Sequence, residues 1–300
     1  VMYHSPVMLK ECIEGLAITA GGFYVDVTFG GGGHTRAILE ALHEGKVIAF
    51  DQDEDARQNL PSDERLIFVN QNFRHLKRYL KLYCIEKIDG LLADLGVSSY
   101  QIDQPEKGFS TRFEGHLDMR MDSRKSLTAA EIVNSYDEEQ LSNLFYLYGE
   151  LNQSRKIAKA IVTKRAEKSI ATTSELAEII RHFAPRNLEN KVLAQAFQAI
   201  RIEVNDELGS LKEMLSQCAE VIKPGGRLVV MSYHSLEDRL VKNFIKTGNF
   251  EGVPEKDFYG NLIAPFDQVN RKIILASDEE IERNPRARSA KLRIAERRGE

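Results

Sequence analysis

Along its first hundred residues the chain alternates apolar runs of strand length with segments of helical periodicity, the pattern of βα units around a parallel sheet. Phe23–Phe29 (FYVDVTF), Lys46–Phe50 (KVIAF), Leu66–Val69 and Ile88–Leu95 (IDGLLADL) are predicted strands, and Thr35–Leu42 a predicted helix. Each ends in a polar or glycine-bearing loop, where open α/β sheets hold their ligands. From about Pro105 the rhythm becomes helix after helix. Thr128-x-x-Glu131, Ser135-x-x-Glu138 and Thr172-x-x-Glu175 each set a hydroxyl three residues before a Glu, the spacing of a capping box. Asn152–Lys168 and Leu188–Val204 are further helices. The alternation then resumes: a helix through Ile222, a turn at Lys223-Pro224-Gly225-Gly226, a strand Arg227–Ser232, a helix Leu236–Thr247 and a late strand Arg271–Ala276. The pattern predicts one α/β domain, residues 1–104 and 206–300, interrupted by an all-helical insertion at 105–205.

Composition narrows the class. Three hundred residues with 42% hydrophobic and 29% charged side chains are globular values, against disorder and against a fibrous chain. No stretch approaches the roughly 18 apolar residues of a membrane span, and VMYHSPVMLKECIEG lacks a basic region followed by an apolar one. The expectation is therefore no membrane and no secretion. Cys12, Cys84 and Cys218 are far apart and form no C-x-x-C, which argues against a disulfide framework or a thiolate zinc site and for a reducing cytoplasm. The net charge of −4 is uneven. Between Arg283 and Glu300 seven Lys/Arg face two Glu, a local +5 that leaves −9 for the rest. Such a basic tail is either a solvated run or a contact for a phosphate-rich partner.

The strongest local signal is Asp26-Val27-Thr28-Phe29-Gly30-Gly31-Gly32-Gly33-His34 at the end of the first predicted strand. Glycines between a strand and a helix permit left-handed backbone and let N–H groups at a helix N-terminus approach a ligand. The dehydrogenase fingerprint G-x-G-x-x-G fits poorly, because its third glycine would fall on Thr35. The register instead resembles the first motif of class I S-adenosylmethionine-dependent methyltransferases, with Thr28 where a glycine is commoner. Asp51 follows the second strand, nineteen residues beyond Gly32. A carboxylate there suits both ribose hydroxyls of an adenosine, a feature shared by NAD and S-adenosylmethionine sites. Asp53 and Asp55 beside it read as solvated helix-start acids. Phe73 after the third strand is either an adenine-flanking ring or core. Asp94, closing the fourth strand, faces the reacting group in this fold.

DLGVSS-x-Q (94–101), KGFS (107–110), LDMRMD (117–122), FQAIRIEVNDEL (197–208), SYHSLEDRLVK (232–242) and NPRARSAKLR (284–293), spread in order over nearly the whole length, together resemble the bacterial ribosomal RNA small-subunit methyltransferase H family, also called MraW. Tyr100 stands where that family has proline, and the segment before Phe197 lacks its customary lead. The resemblance implies a class I, Rossmann-like, mostly parallel sheet with a helical insertion for substrate recognition. It implies N4-methylation of a cytidine in the decoding centre of 16S ribosomal RNA, with S-adenosylmethionine as donor and the assembled 30S subunit as substrate. Carried over by position, the cofactor contacts are Gly32, Gly33, His34, Asp51, Phe73, Asp94 and Gln101.

The chemistry of the residues agrees. The exocyclic amine of cytosine has its lone pair delocalised into the ring, so attack on a sulfonium methyl is helped by an acceptor for its N–H. Asp94 or a loop carbonyl is that acceptor, and no metal is required. The base must be single-stranded or flipped out. Tyr233 and His234 share the sheet edge of Asp94; His234 is either a base contact or a helix cap, and Ser235 with Asp238 spells a cap of its own. Asp118 and Arg120 are substrate contacts or an internal ion pair. Arg286, Arg288 and Arg293 are the candidate phosphate contacts in the tail. Two other readings compete: an NAD-dependent oxidoreductase, and a non-catalytic RNA-binding ribosome-assembly protein that uses only the tail.

Overall fold

A computed structural model of the protein describes residues 6–299. The described chain divides into two compact units, one running to Gly96 and resuming at Leu208, the other Val97–Glu207. Among the described residues no helix is long and apolar enough to cross a membrane.

The first unit is built on an eight-stranded sheet: β1 (Phe23–Asp26), β2 (Lys46–Phe50), β3 (Leu66–Val69), β4 (Ile88–Asp94), β5 (Ile222–Ser232), β6 (Phe266–Gln268), β7 (Ile274–Leu275) and β8 (Lys291–Arg297). The order is β3-β2-β1-β4-β5-β8-β6, with β7 also paired to β8. The first five neighbours are parallel, while β8 runs antiparallel to β5, β6 and β7. This is a Rossmann-like, mostly parallel α/β arrangement, and its strand order reverses between β1 and β4, the position at which such sheets open a ligand crevice. Successive residues of the central strands enter different cores. Val25, Ile48, Leu91 and Val230 pack on one side, and Tyr24, Val47, Leu92 and Val229 on the other. Burial on both faces explains the near-continuous apolar runs KVIAF and LLA.

Local chemistry trims the predicted elements. β1 stops at Asp26 rather than Phe29, because the Asp26 carboxylate accepts the Thr28 N–H at 3.0 Å and turns the chain. β5 begins at Ile222 and carries the Lys223-Pro224-Gly225-Gly226 segment as an irregularity opposite Asp89. Of Arg271–Ala276 only Ile274–Leu275 pairs. The largest departure is the basic tail. Leu292, Ile294 and Ala295 are buried, and β8 lies inside the sheet. Its Arg and Lys residues alternate with that apolar row and so leave the charge run half inside the fold. Glu300, which entered the +5 count, lies outside the described residues.

The second unit is helical: Ser99–Asp103, Ala129–Ser135, Glu138–Leu147, Ser154–Glu167, Thr173–Arg181 and Glu189–Asn205 surround a core of Phe145, Ile157, Ile161, Ile180 and Ile200. Thr128 with Glu131 and Thr172 with Glu175 form capping boxes as expected. Ser135 does not begin a helix; it ends one, its hydroxyl donating to the Glu131 carbonyl, and the next box is Asp137 with Gln140. The loop LDMRMD is held by two nested pairs. Asp118 takes both Arg120 Nε and Nη2 at 2.8 Å, and Asp122 takes Arg124 in the same way. Buried Asn205 locks the loop to its helix through Met121 N–H and Met119 C=O.

Candidate active site

The loop after β1, Asp51 after β2 and Asp94 at the end of β4 come together at the C-terminal edge of the sheet. The glycine loop enters the helix Gly33–Ala41 through Gly32, whose φ of +75° is left-handed. A Cβ there would lie 2.8 Å from the Phe29 ring, so only glycine fits. Two residues that the sequence did not flag brace this loop. Asn59 donates to the Gly30 carbonyl at 3.0 Å, and Arg36 donates to the Gly31 carbonyl at 2.8 Å and to the Asn59 carbonyl at 2.5 Å.

Asp51 accepts the N–H of Gly30 at 2.7 Å through Oδ2 and of Asp53 at 2.9 Å through Oδ1. Burial pushes its carboxyl up to about 7, with those two N–H groups pulling the other way. Each oxygen keeps lone-pair capacity for a further donor. A carboxylate fixed at both oxygens beside a glycine-only loop is the receptor a ribose diol requires, so the residues fit the adenosine end of S-adenosylmethionine. Asp53 caps the turn Glu54–Asn59 by accepting Asp55 N–H, so both acids stand at a helix start as expected, but Asp53 is buried and not solvated. Asp26, almost fully buried, accepts Thr35 Oγ1–H at 2.6 Å, and burial raises its carboxyl too.

Asp94 joins three segments at this edge. Tyr233 donates its phenol O–H to Oδ1 at 2.6 Å, and Oδ2 lies 3.9 Å from His34 Nδ1. Its backbone N–H donates to Thr28 Oγ1 at 2.7 Å, which accounts for a threonine at a position where glycine is commoner. Burial raises the Asp94 carboxyl to about 6, and His34 and the Tyr233 hydrogen bond partly offset it. Gly96, at φ +100°, follows; a Cβ there would press on the Tyr233 ring at 3.2 Å. The His34 ring is buried and donates Nε2–H to the Val7 carbonyl at 3.0 Å, since a carbonyl can only accept.

The remaining predicted residues have contacts of their own. Phe73 sits half-buried in the turn Phe73–His75 and packs on the sheet core. Gln101 belongs to the helical unit, where it completes a capping box with Ser98. His234, not Ser235, is the N-cap of Ser235–Thr247: its Nδ1 accepts Glu237 N–H at 3.5 Å and its Nε2 lies 3.2 Å from Glu237 Oε1. The cap uses Nδ1 and leaves Nε2 without a hydrogen bond among the described residues, so the cap and a base contact through Nε2 are compatible. Asp118 and Arg120 satisfy one another, the internal alternative of the two. Arg293 is no free tail cation; it makes a bidentate pair with Asp238 at 2.8 and 3.1 Å, with only 17% of its side chain exposed. Arg286 is half-buried and Arg288 exposed, both in the turn Pro285–Ser289. The sequence places Tyr233 on the edge of Asp94 but does not show their bond, and the Asn59–Arg36 brace has no sequence signature.

The comparisons with known proteins agree with this geometry. A model described as the MraW methylase family matches residues 1–298. The ribosomal RNA small subunit methyltransferase H of Phocaeicola vulgatus is 57% identical over 298 residues, covering 99% of this chain and 98% of the relative. Its counterpart in Bacteroides thetaiotaomicron is 58% identical over 297 residues, with coverage of 99% and 98%, and that of Flavobacterium johnsoniae 55% over 296 residues, with 98% of each. These matches set aside the NAD-dependent oxidoreductase reading. The chain is an S-adenosylmethionine-dependent methyltransferase and belongs to the MraW methylase family.

Proposed function

We propose that this protein methylates N4 of a cytidine in the decoding centre of 16S ribosomal RNA, on the assembled 30S subunit in the cytoplasm. The observation that carries this reading is the Asp94 carboxylate at the end of β4, with Oδ1 engaged by Tyr233 and Oδ2 without a hydrogen bond among the described residues, 3.9 Å from His34 Nδ1. The similar proteins, ribosomal RNA small subunit methyltransferases by name, support the substrate class.

S-adenosylmethionine, when bound, supplies a methyl group already activated as a sulfonium. The protein's task is then positioning and proton management. Asp51 would orient the ribose, and the first N–H groups of Gly33–Ala41, into which the glycine loop leads, would donate to the cofactor. As positive charge develops on the amine, ionised Asp94 accepts its N–H through Oδ2 and takes the proton. Tyr233 acts through Asp94 by holding Oδ1, which makes it a positioning residue. The helical unit and exposed Arg288 contact RNA in this reading, whereas Arg293 does not.

The test is methyl transfer from labelled S-adenosylmethionine to 30S subunits lacking the modification, followed by nucleoside analysis, with Asp94→Ala in parallel. Label in N4-methylcytidine that the variant abolishes is the expected result. Label in another nucleoside, or none despite cofactor binding, reassigns the substrate. Absence of cofactor binding as well returns the non-catalytic assembly role.

A further inference from the structure

The helix Ser154–Glu167 carries six Lys/Arg between Arg155 and Lys168, counting the residue that follows it, against the single acid Glu167. The cations fall into two groups. In the C-terminal half each is engaged: Lys164 with Glu167, Lys168 with Glu175, and Arg165 with the carbonyls of Val133 and Tyr136. In the N-terminal half Arg155, Lys156 and Lys159 are all exposed, and none has an acidic partner within ion-pair distance among the described residues. Ser154, Ile157, Ala158 and Ile161 are buried and fix the roll of the helix, so the three cations share its solvent face. Arg155 and Lys159 are four apart, a like-charge spacing that opposes an isolated helix, and no acid stands in the first turn to offset them. This concentration of positive charge opposes the isolated helix, and a polyanion would offset it.

We propose that Arg155, Lys156 and Lys159 form a phosphate-gripping face of the helical unit that binds the RNA backbone. The proposal rests on the reading that ribosomal RNA is the substrate, and it moves the main electrostatic contact from the C-terminal segment, where Arg293 is paired, to this helix. Three phosphates neutralised by three cations release the counterions condensed on them. The face contributes affinity and salt dependence without reading sequence.

The experiment compares the wild type with Arg155→Gln/Lys156→Gln/Lys159→Gln for binding to 16S ribosomal RNA and to 30S subunits between 50 and 200 mM salt, roughly the range over which backbone contacts are read. Glutamine keeps helix propensity while removing charge. The slope of log K against log salt should fall by about 2–3 units in the variant, from about 0.7–0.9 per lost phosphate contact. S-adenosylhomocysteine affinity should be unchanged and Tm the same or slightly higher, as the like-charge repulsion is removed, and Lys164→Gln/Lys168→Gln, which removes paired cations, should leave the slope nearly as it was. An unaltered slope in the triple variant overturns the proposal. So does a loss seen on 30S subunits but not on 16S RNA, which would put the partner among ribosomal proteins. A wild type that binds neither RNA nor 30S at any salt refutes the substrate reading itself, a failure distinct from the other two.

Discussion

Tyr233 donates its phenol O–H to Oδ1 of Asp94 at 2.6 Å, joining the segment after β5 to the end of β4 across 139 positions of sequence. That bond lowers a carboxyl which burial holds up at about 6. Removing it with Tyr233→Phe leaves the upward push of burial less opposed, so the acid rises further. With S-adenosylmethionine saturating, so that Asp51 is already engaged, the acid limb of kcat/KM for RNA should lie near pH 6 and move up by about one pH unit in the variant, given ~1.5–3 kcal/mol for a hydrogen bond to a charged group. A pH–rate profile checks this. A fall in rate with the limb unmoved would make Tyr233 a packing residue only.

Asp51 must be ionised to accept two ribose hydroxyls, and its carboxyl stands at about 7. Affinity for S-adenosylhomocysteine should therefore rise as pH goes from 6 to 8. Asp51→Asn should flatten that dependence and weaken binding at pH 8 by on the order of tenfold or more, the loss of charge-assisted hydrogen bonds. Titration calorimetry across the range reads both effects.

Gly32→Ala should cost about 1–3 kcal/mol, since it puts a Cβ at left-handed φ against the Phe29 ring. Gly31→Ala, one residue away with nothing within 4 Å of the added atom, should change stability little. Denaturant titration of both variants, with cofactor affinity measured alongside, distinguishes a shaped loop from a flexible one. Equal effects would remove the argument for Gly32.

Two arginines of the same C-terminal run should behave oppositely. Arg293→Gln breaks a mostly shielded bidentate pair with Asp238 and should destabilise by ~2 kcal/mol. Exposed Arg288→Gln should stay within about 0.5 kcal/mol. Chemical denaturation with matched slopes settles it, and a harmless Arg293→Gln would return that residue to the pool of RNA contacts.

What the sequence by itself determined was everything governed by neighbours along the chain. The βα rhythm, the glycine turn into Gly33–Ala41, the boxes at Thr128 and Thr172 and the helical stretch after Pro105 depend on periodicity, backbone freedom and hydrogen bonds spanning a few residues. Asp51 and Asp94 were legible for the same reason, as carboxylates at the ends of apolar runs in a fold that places strand ends together. Ser135 shows the limit of that logic: two possible caps stood two residues apart, and only packing selected Asp137. Tertiary structure decided the rest. KLRIAER alternates, but its charge masked it, and nothing local says that β8 must run antiparallel beside β5. The pairs Tyr233–Asp94, Arg293–Asp238 and Asn59 with the glycine loop exist only because the sheet brings distant segments to one edge. Their energies come from shielding side chains that, read singly along the chain, look like surface polar residues.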